Sequence, residues 1–154
     1  ISPQFLIGVA IAVAGAYIRL ASFREMEQMF TYELSIRRDH KLITTGPYSV
    51  VRHPSYTGSF MLHVGITLCE LSSGTWWTSV GMAETWAGKA IATTWAALVC
   101  YSCLIFARAP REDMLLCKEF GKEWEKYAER VKFRFIPGVL CECFTYLGTK
   151  REAY

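Results

Sequence analysis

The composition of this chain excludes several broad classes of protein. Of its 154 residues 52% are hydrophobic, and the mean hydropathy is +0.18, which favours a membrane protein over a soluble domain. The formal net charge is only +3, and no basic face is interleaved with aromatic residues, so nucleic-acid binding is not expected. Because the chain does not begin with Met, we expect it to be a fragment with further spans upstream.

The first predicted element is an apolar helix from about Phe5 to Leu20, interrupted only by Arg19. It lacks the preceding basic segment of a signal peptide. Small residues, which allow membrane helices to approach closely, recur along it. They are Gly8, Ala10, Ala12, Ala14, Gly15 and Ala16.

Two further apolar stretches follow. The second, about 58–71, is short for a span and contains His63 and Glu70, so we expect it to continue through Met82 as a broken or hairpin element. The third, about 90–107, is long enough to cross a bilayer. His63 is expected to be a packed or helix-bonded histidine rather than a ligand.

The distribution of Lys and Arg predicts an orientation. Five basic residues lie between residues 24 and 52 and eight between 108 and 134, whereas 71–88 contains none. The positive-inside rule places both basic segments in the cytosol, where they can meet. After the third span, Leu115, Leu116, Phe120, Trp124 and Tyr127 recur at helical spacing. They predict one amphipathic helix over about 112–131, after which Ile136-Pro137-Gly138 ends the regular structure.

Most common cofactor motifs are absent from the sequence. Cys100-x-x-Cys103 lies within an apolar span and has no second pair or His at ligand spacing, so no metal is expected. Cys141 and Cys143 are weak candidates for lipidation near the membrane. The sequence contains neither a Gly-x-Gly-x-x-Gly motif after a strand nor a Gly-x-Ser-x-Gly motif.

The strongest candidate site combines the polar loop 40–58 with the end of the third span. Ionisable groups held against a bilayer are costly and therefore usually functional. Arg108 and Glu112 share a helix face if the helix continues past Pro110, although such residues are also common as interfacial anchors. Together with Arg52 and His53, Glu112 suits an amino acid-like cofactor that carries a carboxylate and an ammonium. Two tyrosines of the loop, Tyr48 and Tyr56, add hydroxyls and stacking surfaces.

A specific resemblance rests on these motifs. The segment Leu42–Gly58 with its Arg-His-Pro-x-Tyr-x-Gly, then Arg108-x-x-x-Glu112-Asp113, Phe120-Gly121-x-Glu123-Trp124 and Ile136-Pro137-Gly138-Val139 resemble the isoprenylcysteine carboxyl methyltransferase family. The first motif is shared with phospholipid N-methyltransferases, and the tail favours the prenylcysteine branch. The resemblance covers about 33–139, and it implies one all-α, multi-span membrane domain, 1–154, with a cytosolic cofactor loop and a C-terminal amphipathic helix.

The resemblance also implies roles for individual residues. Arg108 would bind the substrate and act in catalysis. S-adenosylmethionine would be bound by Glu33, His40, Lys41, Leu42, Ile43, Tyr48, His53, Pro54, Ser55, Tyr56 and Glu112. Two positions depart from the family pattern: Glu33 stands where relatives often have Gln, and Asp113 where they usually have a second Glu.

The implied reaction is methylation of the C-terminal carboxylate of prenylated proteins at the endoplasmic reticulum membrane, with the active site facing the cytosol. The partners would be the prenylcysteine substrate and the bilayer. Two alternatives stay open. One is methylation of a lipid head-group amine, which needs a base, with His53 as the obvious candidate. The other is a membrane scaffold with a degenerate site.

Overall fold

The described part of the chain, residues 1–26 and 41–138 of a computed structural model, is built from helices, with no β-strand in those two ranges. This confirms the all-α prediction for these residues. The elements are α1 (Pro3–Met26), α2 (Pro54–Glu70), α3 (Trp76–Ser79), α4 (Trp86–Phe106), α5 (Ala109–Phe120) and α6 (Lys122–Arg130). Two 3₁₀ turns, Gly46–Ser49 and Met82–Glu84, lie in the connections.

Helices α1 and α2 pack antiparallel through glycines. A Cβ built on Gly15 would lie 2.7 Å from the carbonyl oxygen of Gly58, and one built on Gly65 would lie 2.4 Å from the amide nitrogen of Ala12. Side chains at these positions would therefore force the helices apart. The small residues of the first apolar stretch serve the close packing for which they are suited.

Helix α4 contacts α2 through polar and aromatic side chains. The indole N–H of Trp95 donates to the hydroxyl of Thr67 at 3.0 Å. Nδ1 of His63 pairs with the carbonyl oxygen of Ser59 at 2.7 Å, and its ring packs 5.5 Å from that of Trp95. The prediction that His63 is a packed, helix-bonded histidine is confirmed.

Within residues 1–26 and 41–138, two helical stretches are long and apolar enough to cross a membrane. They are Pro3–Met26 and Trp86–Phe120, and the apolar part of the second is α4. Their outer faces expose large apolar side chains, among them Leu6, Val13 and Tyr17 on α1 and Leu98, Tyr101 and Leu104 on α4. These faces suit lipid. The second predicted stretch forms the 17-residue α2, which is followed by the short elements α3 and Met82–Glu84.

The prediction of one amphipathic helix over 112–131 is wrong, because the chain breaks at Gly121. This residue has φ +50° and ψ −119°, which favour glycine, and it separates α5 from α6. The predicted stripe also has one outlier, Leu115, which is 37% exposed. Instead of forming one apolar stripe along a single helix, the other residues of the predicted stripe pack into a small core. It consists of Trp124, Tyr127, Ala128 and Val131 packed against Leu42, Leu116, Cys117 and Phe120.

Candidate functional site

The polar loop is anchored by both of its neighbours. At its start, the hydroxyl of Thr45 donates to the Glu25 carboxylate of α1 at 2.8 Å. Further along, the buried Tyr48 accepts a hydrogen bond at its carbonyl oxygen from the hydroxyl of Tyr127, at 2.8 Å. Burial raises the pKa of both tyrosines above the usual range, so both phenols stay protonated. The loop and the tail therefore meet, as the sequence predicts.

The short segment Val51–Pro54, here called the corner, is buried and carries the charged residues Arg52 and His53. Pro54 is fully buried at the first position of α2, where a missing N–H costs nothing. The N–H groups of Arg52 and His53 donate to the carbonyl oxygens of Phe133 and Arg134, at 3.0 and 2.9 Å. These two hydrogen bonds hold the segment that follows α6 against the corner.

The imidazole of His53 lies between two carboxylates. Its Nε2 is 3.0 Å from Oδ1 of Asp113, and its Nδ1 is 3.4 Å from Oε2 of Glu112. A neutral imidazole has only one N–H, so facing carboxylates with both nitrogens requires the protonated ring. Burial by itself lowers the pKa of His53, but the hydrogen bonds and charges of Asp113 and Glu112 outweigh it and raise the pKa above the usual value. The position between two carboxylates therefore favours the imidazolium form of His53.

Asp113 is the centre of this cluster. It is 3% exposed, and its Oδ2 accepts from NH1 of Arg52 at 3.1 Å and from Nε of Arg134 at 3.1 Å. NH2 of Arg134 lies 3.0 Å from the same oxygen. One buried acid thus pairs with two guanidiniums and one imidazolium, which offsets the desolvation of all four groups.

Glu112 carries the more accessible side of the cluster. The hydroxyl of Tyr56 donates to its Oε1 at 2.5 Å, and its side chain keeps 20% exposure. Arg108, partly buried at the start of α5, is an electrostatic neighbour of both Glu112 and Tyr56. The ring of Tyr56 stacks on that of His53 with centroids 5.5 Å apart.

Aromatic rings close one side of this polar group. The Phe135 ring packs 5.8 Å from that of His53 and 4.7 Å, edge to face, from that of Phe106. Tyr56 also lies 5.9 Å from Phe106. The cluster therefore lies in a locally apolar setting, where charge interactions are stronger than in water.

The structure brings together some of the predicted site residues and not others. His53, Tyr56 and Glu112 are in contact, with Arg108 and Tyr48 beside them. Leu42 packs on the Trp124 core, Ile43 and Ser55 are partly buried, and Lys41 is exposed. Glu33 and His40 lie outside the described residues.

Sequence reasoning missed two residues of this cluster. From the sequence, Asp113 is one of the polar residues at the end of the third span and a departure from the family pattern, with no role assigned, and Arg134 is one member of a basic segment. A signal for Asp113 is present in the run Arg52-His53, because a buried Arg needs an acidic partner. The pair Glu112-Asp113 supplies two adjacent acids on one helix. Outside the cluster, Cys100 and Cys103 are exposed free thiols on α4.

Comparison with known proteins identifies the family. The sequence profile described as "Isoprenylcysteine carboxyl methyltransferase (ICMT) family" matches residues 7–87, which is more than half of the chain. The chain belongs to the isoprenylcysteine carboxyl methyltransferase family. The match includes most of α1, all of α2 and the His53 corner of this family member.

Relatives of two kinds are found. The chain is 31% identical to protein-S-isoprenylcysteine O-methyltransferase B of Arabidopsis thaliana, over 80% of this chain and 55% of the relative. It is 30% identical to the probable protein-S-isoprenylcysteine O-methyltransferase of Oryza sativa subsp. indica, over 81% and 57%. It is also 27% identical to the Delta(14)-sterol reductase of Septoria lycopersici, over 64% and 21%. This family member spans about half the length of the methyltransferases it matches.

Proposed function

We propose that this protein uses S-adenosylmethionine to methylate the C-terminal prenylcysteine carboxylate of prenylated proteins. The observation that carries the proposal is the position of His53, whose two ring nitrogens both face carboxylates. The family and the names of the methyltransferase relatives support the same reaction.

The state of His53 bears on the choice of nucleophile. An α-carboxyl group titrates near pKa ~3.5, so a prenylcysteine carboxylate is already ionised at neutral pH and needs no base. A lipid head-group amine must lose a proton before or during methylation. The base that the sequence analysis offers for that step is His53, and both of its ring nitrogens face the carboxylates of Asp113 and Glu112. The clamped imidazolium therefore favours the carboxylate substrate over the amine.

The residues around the cluster fit a cofactor that carries both charges. Glu112 keeps partial exposure and can accept from an ammonium, with Tyr56 holding its other oxygen. Two buried donors, Nε of Arg52 and Nε1 of Trp124, have no hydrogen-bond partner among the described residues, and the guanidinium of Arg52 lies 5.8 Å from the Trp124 ring centroid. These N–H groups could donate to a carboxylate or to a bridging water. The further cofactor contacts would come from Lys41, Leu42, Ile43, Tyr48, Pro54 and Ser55, with Glu33 and His40.

The residues of the chain would assist the reaction by positioning and by excluding water. S-adenosylmethionine, when bound, supplies a methyl group from a sulfonium. Arg108 would hold the substrate carboxylate through its guanidinium fork, in line with that methyl group. Phe106 and Phe135 would exclude the water that stabilises separated charges and so opposes their neutralisation.

The exposed apolar faces of α1 and α4 support a membrane setting for this chemistry. A prenyl chain partitions into lipid at roughly 0.8 kcal/mol per buried CH₂, so its cysteine carboxylate stays close to the bilayer. We place the protein in the endoplasmic reticulum membrane, with residues 1–154 as one domain, a core over about 33–139, and the site facing the cytosol.

The decisive experiment offers two acceptors to the same purified chain in detergent. With radiolabelled S-adenosylmethionine, we expect methyl ester formation on a farnesylated cysteine analogue and no transfer to phosphatidylethanolamine. Transfer to the amine alone would replace the proposal with the lipid alternative. Cofactor binding without any transfer, or no binding at all, would favour the scaffold alternative.

A further inference from the structure

The segment that follows α6, here called the strap (residues 131–136), is fastened to the beginning of α2. The strap carbonyls of Phe133 and Arg134 accept from the N–H groups of Arg52 and His53. One turn into α2, the hydroxyl of Thr57 donates to the carbonyl oxygen of Phe135 at 2.6 Å. Three consecutive residues of the strap are thus tied to the corner or to the first turn of α2.

Arg134 contacts His53 in two ways. Its carbonyl oxygen accepts from the His53 N–H at 2.9 Å. Its guanidinium reaches the ring indirectly, because Nε and NH2 both hold Oδ2 of Asp113 while Oδ1 of the same carboxylate faces Nε2 of the ring. The Arg134 side chain is 7% exposed, so these contacts are shielded from solvent.

From this geometry we infer that Arg134 is a positioning residue, which orients the Asp113 carboxylate and through it the His53 imidazolium beside Glu112. The inference rests on the proposed function only where it links His53 and Glu112 to the cofactor. Arg134 itself contacts neither of the two groups assigned there to cofactor and substrate, Glu112 and Arg108, through any of these bonds.

The physical reason is that the two oxygens of the Asp113 carboxylate have different partners. Oδ2 accepts from Arg52 and Arg134, and Oδ1 faces His53. Without the fork of Arg134, Oδ2 of Asp113 keeps only the single contact from Arg52, and the carboxylate is free to rotate away from Nε2 of His53. The strap would also lose the side-chain contact of Arg134, while its three hydrogen bonds to the corner and Thr57 and the packing of Phe135 remain. His53 would then lose its shorter ion pair and keep the longer one to Glu112.

Removal of Arg134 should change the His53 pKa in opposite directions, depending on whether Arg134 positions Asp113 or acts only through its charge. The groups that face or neighbour His53 are Glu112 and Asp113 on α5, Arg108 at its start, Arg52 in the corner, Tyr56 on α2 and Arg134 on the strap. If Arg134 acts only as a nearby positive charge, its removal stabilises the imidazolium and raises the His53 pKa. If Arg134 positions Asp113, its removal weakens the Asp113–His53 bond and lowers the His53 pKa.

The test uses the full chain in detergent with ¹⁵N-labelled histidine. The three histidine signals are assigned with His40→Gln and His63→Gln, and the His53 titration is followed by NMR in Arg134→Gln and Arg134→Lys. Lys132→Gln is the matched control, since Lys132 is an exposed cation on the same strap. Calorimetry measures S-adenosylmethionine affinity on the same samples.

We expect both Arg134 variants to lower the His53 pKa, Arg134→Gln by about one unit. Both should weaken cofactor binding, Arg134→Gln by about tenfold, with Lys132→Gln unchanged. A higher His53 pKa in Arg134→Gln, or an unchanged pKa in Arg134→Lys, would overturn the inference. Arg134→Lys decides alone if Arg134→Gln does not fold. If the parent binds no S-adenosylmethionine, the proposed function fails while the titration still tests Arg134.

Discussion

Both ring nitrogens of His53 face carboxylates of the protein. The structure therefore distinguishes two roles of a histidine that a sequence motif alone does not, namely a base and a positioning cation. A histidine with one free nitrogen can accept a proton, whereas an imidazolium between Asp113 and Glu112 can only orient them. Of the two acids, Asp113 is the buried one and Glu112 the partly exposed one. A ligand cation can therefore approach Glu112 but not Asp113.

The first prediction concerns Glu112. Glu112→Gln removes the negative charge but keeps the size and one hydrogen-bond acceptor, so we expect S-adenosylmethionine affinity to fall by about tenfold or more. Titration calorimetry on the folded chain in detergent measures this. Glu119→Gln, an exposed residue of the same helix, is the control and should bind like the parent. Parent-like binding by Glu112→Gln would remove Glu112 from the cofactor site.

The second prediction concerns Arg108. Arg108→Lys keeps the charge but loses the guanidinium fork. If Arg108 holds the substrate carboxylate, turnover should drop on the order of 100-fold, with cofactor affinity nearly unchanged. Arg111→Lys, exposed on the same helix, should leave both unchanged. If Arg108 only supports Glu112, the variant instead loses folding stability while its turnover stays normal, and that result would exclude the substrate role.

The third prediction follows from the raised pKa of His53. A raised folded-state pKa stabilises the protein fully below the unfolded value, about 6.5, and that contribution is lost as pH rises through the folded-state pKa. We therefore expect the free energy of unfolding to fall as pH increases above about 6.5. Denaturation of parent and His53→Gln at several values up to about pH 8.5, below the titration of tyrosine, tests this. The parent should show the steeper fall, and equal slopes would contradict the prediction.

At the scale of elements, the α1–α2 pair depends on the absence of side chains. A Cβ on Gly15 would lie 2.7 Å from both the Gly58 carbonyl oxygen and the Leu62 amide nitrogen, which are backbone atoms and cannot move away alone. We expect Gly15→Ala to cost about 1–3 kcal/mol of stability through overpacking. Thermal unfolding in detergent measures the loss. Ala16→Val, exposed on the same helix, should cost no more than about 0.7 kcal/mol. Similar losses in both variants would mean that close contact at Gly15 is unimportant.

The tail shows where periodicity misleads. Leu116, Phe120, Trp124 and Tyr127 keep helical spacing across Gly121, so the apolar pattern alone predicts one helix. The backbone nevertheless reverses its φ sign at Gly121, and the two short helices enclose a core that includes Leu42 from the loop. A local pattern contains no information about that distant partner.

At the scale of the molecule, the sequence predicts local features directly, but it predicts contacts between distant residues only where a motif match or the charge pattern brings two segments together. Apolar runs predicted α1 and α4, small residues suited the close packing of α1, and the motif match placed His53, Tyr56 and Glu112 near one another. The role of Asp113 depends on Arg52 and Arg134, which lie 61 and 21 positions away in the chain. Whether an acid is buried depends on tertiary structure. The sequence therefore shows Asp113 as a departure from the family pattern but does not reveal that it lies at the centre of the cluster.

The last prediction concerns the orientation of the whole chain in the membrane. Helix α2 leaves the corner and α4 returns to it, since Phe106 packs on Tyr56, so the loop and the tail share one side. Thirteen Lys and Arg residues flank that side, and 71–88 has none. In sealed microsomes, Thr45→Cys and Lys122→Cys should therefore react with an impermeant maleimide from the cytosol, above the labelling of the parent cysteines. Ser73→Cys, exposed in the opposite connection, should react only after the membrane is permeabilised. Protection of either of the first two variants in intact vesicles would reverse the orientation and move the site to the lumen.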